Sequence, residues 1–342
     1  MVEVEKSKKT VTRIAIDTLF TTLEKTGVMA WFGNLINARV PQIIDIQWQN
    51  PEAEQKFIKL TAEGGIPEGF AGHFVWYDAV LASQACSTLQ DSAQRHGLGD
   101  NLLGFGLTLA KSVKEGQQSR FMKAIYPEME KFAADRNVEF IPITRVVDAD
   151  RYGMARGLNF EEKKALVAKF RQKGMGGMIF PGGSVQPGRR PKGGTRDQIN
   201  GLQEITDADL WNVFELMERE GQSRTGQKPY FLPMGIEGGY RLQSAQSKLP
   251  TPEALVSLFG RLSEFLGEKI GFKRIRARVK IGMPITLKDV TDELGVDWEV
   301  RIRNRNDDEG WQRAALELNR YLMMRSANLL EDPQARGFYG KD

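Results

Sequence analysis

The chain has 342 residues, 27% charged and 41% hydrophobic, a globular composition long enough to bury a sizeable core. One cysteine, Cys86, excludes an internal disulfide framework and suits a reducing compartment best; with only two histidines beside it, no zinc site is expected. A formal net charge of +4 and a pI near 9.0 are mild, compatible with an acidic partner or an anionic membrane surface and requiring neither.

No apolar run reaches the roughly 20 residues that span a bilayer. Residues 1–10 are charged with no apolar core after them, so no secretory signal is expected. The expected location is the cytoplasm or the periphery of a membrane.

In chain order, residues 11–40 read as helix, perturbed near Gly27, with Ile16, Leu19, Phe20 and Leu23 at helical spacing. Two readings stand for this stripe: a face packed on the core, or an amphipathic face touching lipid. Pro41 ends the unit. A helix over 51–61 follows and breaks at Gly64-Gly65-Ile66-Pro67. Residues 79–95 read as helix, and 97–111 as an apolar stretch punctuated by glycine. Residues 121–136 read as helix, with Pro127 as a kink or as the true start. Strands are expected over 138–147, 175–180, 230–236 and 274–281, the last with basic and apolar residues alternating as in a half-exposed strand. Helices are expected over 160–173, 207–219, 252–265 and 309–330.

Strands separated by helices argue for an α/β fold, a mostly parallel or mixed central sheet flanked by helices. An N-terminal helical extension over 1–65 precedes an α/β domain over 66–342.

Two places carry candidate chemistry. The first is Gly72-His73-Phe74-Val75-Trp76-Tyr77-Asp78. A carboxylate on one imidazole nitrogen fixes the tautomer and stabilises the imidazolium formed when the other nitrogen takes a proton. On a regular helix, residue i+5 lies about 140° round the axis. The pair therefore meets only if His73 precedes the helix and Asp78 sits in its first turns. The alternative is a partly buried structural histidine. The second place is Pro181-Gly182-Gly183-Ser184 and the loop carrying Arg189, Arg190, Lys192 and Arg196. Glycines let backbone amides approach an anion, and arginines offer forked donors that match phosphate. The alternative is a solvated surface loop.

The order of four short segments resembles the glycerol-phosphate and lysophosphatidate acyltransferases. The segments are His73 with Asp78, Phe180-Pro181-Gly182-Gly183-Ser184, Leu232-Pro233-Met234-Gly235-Ile236, and Val279-Lys280-Ile281-Gly282-Met283-Pro284-Ile285. Those enzymes carry a His-x-x-x-x-Asp box, a Phe-Pro-Glu-Gly-Thr-Arg box, a Val-Pro-Val-type strand and a closing strand ending Gly-x-Pro-Ile. A further family box ending in arginine on a strand is matched by Phe140-Ile141-Pro142-Ile143-Thr144-Arg145. The resemblance covers residues 70 to 286. It implies an O-acyltransferase that needs no cofactor and no metal. A fatty acyl group would move from acyl-CoA or an acyl carrier protein to a hydroxyl of glycerol-3-phosphate, lysophosphatidate or a related lipid acceptor. His73 and Asp78 are implied as the catalytic pair. Arg145, Gly182, Gly183, Ser184, Arg189, Arg190 and Lys192 are implied as acceptor or phosphate contacts. Gly72 stands where the family usually has asparagine, Gly182 replaces the family glutamate and Val185 the family arginine. Those changes motivate a second expectation, a non-catalytic protein of the same fold that binds lipid or an acyl carrier.

Two other features have local readings. Arg95-His96-Gly97 matches the tripeptide that opens histidine-phosphatase sites, but a helix precedes it and no histidine follows, so a helix C-terminus capped by Gly97 is expected. The basic runs 273–278 and 301–305 lack interleaved aromatics, so no nucleic acid is expected; a solvated strand face or a patch for an acidic acyl carrier fits them better. Cys86 reads as buried packing.

Overall fold

Hydrophobic alternation and short buried runs build seven strands among the described residues: β1 (Ile44–Trp48), β2 (Ile66–Ala71), β3 (Gly104–Ala110), β4 (Val138–Ile143), β5 (Met175–Ile179), β6 (Pro229–Glu237) and β7 (Ala277–Ile281). They form one sheet in the order β1-β7-β6-β2-β5-β3-β4. Strands β2 to β6 run parallel, while β7 pairs antiparallel with β6 and carries β1 parallel to itself. The computed structural model describes residues 43–72, 78–110, 120–143, 174–180, 228–238, 276–295 and 308–340, with 172, 201–202, 204–205, 226 and 297. The helices expected over 11–40, 207–219 and 252–265, and nearly all of 160–173, lie outside those residues.

Six helices flank the sheet among the described residues: α1 (Pro51–Ala62), α2 (Asp78–Arg95), α3 (Arg120–Ala134), α4 (Leu287–Leu294), α5 (Asp308–Ala327) and α6 (Pro333–Arg336). The mixed, mostly parallel α/β architecture expected from the sequence is the one observed. Helix α1 starts where Asn50 accepts the Ala53 N–H at 2.9 Å, with Pro51 in the first turn and Glu52 and Glu54 at the positive end of the dipole. Its buried stripe is Ala53, Phe57 and Thr61. The Phe57 ring lies 5.3 Å from Trp48 of β1 and 6.4 Å from Tyr230 of β6, and the Tyr230 hydroxyl is 2.9 Å from the Thr61 hydroxyl. Helix α3 begins at Arg120 and runs on through Pro127, which is therefore not its start.

The segment 1–65 is not helical throughout. Residues 44–48 are a sheet strand, and 51–62 pack on it, so the sheet layer begins by Ile44 rather than at residue 66. The signal in Ile44-Asp45-Ile46-Gln47-Trp48 is a period-two alternation only five residues long, and the pairing with β7 decides it.

The sheet has two distinct faces. Gly69 of β2 faces Met178 and Met234, on the side of Tyr230, α1 and α2. Ile66, Glu68 and Phe70 point to the other side, where the Phe70 and Phe231 rings meet at 6.5 Å. That second face receives the end of α5, because Gly235 presses on Leu329. Nearby, the Ser326 hydroxyl donates to the Met234 carbonyl at 2.5 Å. Glu68 is 2% exposed, an acidic side chain enclosed in the centre of the sheet.

Candidate functional site

Parallel pairing places the carboxyl ends of β2 and β5 side by side, with Phe70 opposite Ile179. The chain leaves β2 through Gly72 toward His73, and leaves β5 through Phe180 toward Pro181. Among the described strands, the next after β2 is β3, on the β5 side, and the next after β5 is β6, on the far side of β2. Connections that leave adjacent parallel strands in opposite directions define a topological switch point, where open α/β sheets bind ligands. The two candidate places of the sequence therefore start from adjacent strand ends at one edge of the sheet.

Asp78 is the first residue of α2 and is fully buried. A carboxylate at a helix N-terminus meets the positive end of the dipole and N–H groups without intrahelical partners. Burial runs on through Ala79, Val80, Leu81, Ala82 and Ser83, which seat the start of α2 in the core. His73, Arg145, Gly182, Gly183, Ser184, Arg189, Arg190 and Lys192 lie outside the described residues. The strand that leads to Arg145, β4, ends at the same sheet edge but three strand spacings from β2, about 14 Å away. The ends of β2 and β5 are brought together, and the end of β4 is not.

Gly72 has a steric reason. A Cβ there would sit 2.4 Å from Leu202 Cδ2. Leu202 is itself 1% exposed and hydrogen-bonded on both backbone sides, its N–H donating to the Ala335 carbonyl and its carbonyl accepting from the Phe338 N–H. Leu202 belongs to no motif in the sequence. Its only sequence trace is the glycine it requires, since its partners lie about 130 residues away in both directions. Asn319 was also missed. It is fully buried on α5, its side-chain amide has no hydrogen-bond partner among the described residues, and it stands among the apolar positions Ala315, Leu318 and Leu322.

Several expectations resolve as structural parts. Cys86 is fully buried, and burial pushes its thiol well above the ordinary range, so it stays protonated as packing. His96 is exposed just past the end of α2, its Nδ1 2.9 Å from the Ser92 carbonyl. Gly97 has φ +74, and Leu98 N–H donates to the Ala93 carbonyl, a glycine cap as expected. On β7, Ala277, Val279 and Ile281 are buried while Arg278 and Lys280 are half-exposed. Arg278 pairs with Asp45 and Glu331, and Lys280 with Glu331. The run 301–305 lies outside the described residues. Among the described residues no helix is long and apolar enough to cross a membrane.

The Gly282-Met283-Pro284-Ile285 segment folds back on the first half of β6, away from the crevice edge. Gly282 N–H donates to the Pro233 carbonyl, and Ile285 exchanges both bonds with Phe231. Met283 and Pro284 thus stand against Leu232 alone, a bulge where the missing Pro284 N–H costs nothing. No family model and no curated protein matches this chain.

Proposed function

We propose that this chain is an O-acyltransferase of glycerolipid type. It moves a fatty acyl group from acyl-CoA or an acyl carrier protein to a hydroxyl of glycerol-3-phosphate, lysophosphatidate or a related lipid acceptor, in the cytoplasm or at a membrane surface. The observation that supports this most is the switch-point crevice: β2, leading to His73, ends beside β5, leading to Gly182-Gly183-Ser184, with Asp78 buried at the start of the next helix.

In this reading His73 takes the proton of the acceptor hydroxyl as the oxygen attacks the thioester carbonyl carbon. Asp78 holds the other ring nitrogen and stabilises the imidazolium. The tetrahedral intermediate collapses, the C–S bond breaks, and the leaving thiolate takes the proton back from His73. Backbone amides of Gly182 to Ser184 hold the oxyanion or the acceptor phosphate. Arg145, Arg189, Arg190 and Lys192 supply positive charge to the acceptor.

The test is thiol release from palmitoyl-CoA with glycerol-3-phosphate or lysophosphatidate as acceptor. Wild type should show acceptor-dependent release, and His73→Ala should lower it by about 10²- to 10⁴-fold. Asp78→Asn should lower kcat with little change in KM for the donor. Undiminished release by His73→Ala would remove the mechanism. The replacement of the family glutamate and arginine at Gly182 and Val185 favours the second reading, binding without turnover. Saturable binding of lysophosphatidate vesicles with no release on any acceptor would establish that instead.

A further inference from the structure

The chain that leaves the crevice at Pro181 re-enters the described structure at Gly201 and Leu202, and there the C-terminus seizes it. Leu202 N–H donates to the Ala335 carbonyl at 3.0 Å, and Phe338 N–H donates to the Leu202 carbonyl at 2.7 Å. Ile205 N–H donates to the Tyr339 hydroxyl at 3.1 Å, and Arg320 Nε donates to the Ile205 carbonyl at 3.1 Å. The Arg320 guanidinium also pairs with Glu204. The approach is so close that a Cβ on Gly201 would lie 2.1 Å from the Gln334 carbonyl oxygen. One on Gly337, at φ +56, would lie 2.2 Å from the Leu202 carbonyl oxygen. These contacts fix the Leu202 backbone, and its side chain lies where a Cβ on Gly72 would have to go.

We propose that Leu202, held by α6 and the Gly337–Gly340 turn, is a positioning residue that sets the backbone at Gly72, the residue from which the chain goes on to His73. The C-terminal turn then acts on the crevice without touching substrate. It ties residues 201–205 to the end of β2 at Gly72. The catalytic arm of this inference rests on the acyltransferase reading; the positional arm does not.

The experiment uses the full chain and the variants Gly72→Ala, Leu202→Ala, their double, and Tyr339→Phe. Hydrogen exchange of the peptide covering residues 66–80 is read in each, with kcat and KM from thiol release on palmitoyl-CoA. Gly72→Ala should lower kcat by about 10- to 100-fold with KM for the donor within about twofold, because small displacements of a reacting group cost rate rather than binding. Leu202→Ala alone should lower kcat as well, and the double variant should lose far less than the product of the two, since Leu202→Ala frees the space the new methyl needs. Tyr339→Phe and Leu202→Ala should each speed exchange at 66–80. Losses that multiply in the double variant would overturn the proposal, as would exchange at 66–80 unchanged in both Tyr339→Phe and Leu202→Ala. If the wild type releases no thiol on any acceptor, the acyltransferase reading fails while the exchange result still decides whether Leu202 and the C-terminal turn position Gly72. If Gly72→Ala does not fold, the other two single variants decide it by exchange.

Discussion

At the scale of single residues, Asp289 shows how one carboxylate joins distant parts of the chain. It accepts the Thr286 N–H at 2.8 Å while Thr286 Oγ1 accepts the Asp289 N–H at 3.1 Å, a reciprocal cap on α4. Its other partner is Lys56 Nζ, at 2.9 Å on α1. Burial opposes the charged form, but the Thr286 backbone bond and the Lys56 ammonium outweigh it and hold the carboxyl below its ordinary value. A depressed folded pKa contributes stability that is present above the unfolded value and lost as pH falls through the folded one. Thr286→Ala should therefore cost about 1 kcal/mol in urea unfolding at pH 7. Asp289→Asn should destabilise at pH 7 and differ little from wild type once pH drops well below about 3.9. A loss of equal size at pH 2.5 and pH 7 would show that the charge is not what matters.

At the scale of elements, β1 and α1 are bound into the sheet through one aromatic junction. Phe57 is fully buried between Trp48 and Tyr230. Phe57→Ala should cost about 3–5 kcal/mol by loss of burial and the cavity left behind. Denaturant unfolding that stayed a single transition with an unchanged slope would agree with 44–62 belonging to the sheet layer. A separate early transition would make them an independent unit. Elements with strong local signals were legible: α1, α2, α3 and α5 were expected within one to three residues at each end, and β5, β6 and β7 were expected where they occur. Strand β2 was not. Ile66-Pro67-Glu68-Gly69-Phe70-Ala71 carries proline, glycine and glutamate, all poor strand formers. Pro67 is tolerated because Ile66 N–H points to Lys228, so Pro67 faces β5, where the ladder starts only at Glu68. A Cβ at Gly69 would lie 2.7 Å from Met178 Sδ and 3.2 Å from Met234 Cε, so a larger residue there would require these two methionine side chains to shift. Helix α4 was missed although Thr286, Asp289 and Gly295 spell its start and stop.

At the scale of the whole molecule, the buried phenols and thiol set a limit on the alkaline side. Burial raises Tyr126, Tyr230, Tyr321 and Tyr339 above the ordinary tyrosine value, and burial raises Cys86 as well. Their protons stay on in the folded chain and leave in the unfolded chain at about pH 8.5 to 10. The folded state then binds more protons than the unfolded one, so stability falls as pH rises through that window. The melting temperature should be steady from pH 7 to 8 and decline steadily from 9 to 11. A flat profile to pH 11 would mean that these groups ionise in place.

By itself the sequence determined what local chemistry can specify: an α/β alternation, four of the six described helices, the buried character of Cys86 and the Gly97 cap. Only the tertiary structure decided that β2 is a strand, that its end lies beside that of β5 rather than β4, and that Leu202 and the C-terminal turn close on Gly72. Helix starts, caps and periodic stripes depend on neighbours within a few residues. Strand pairing in a parallel sheet depends on contacts across long stretches of chain, and those contacts override the weak propensities of a segment such as β2.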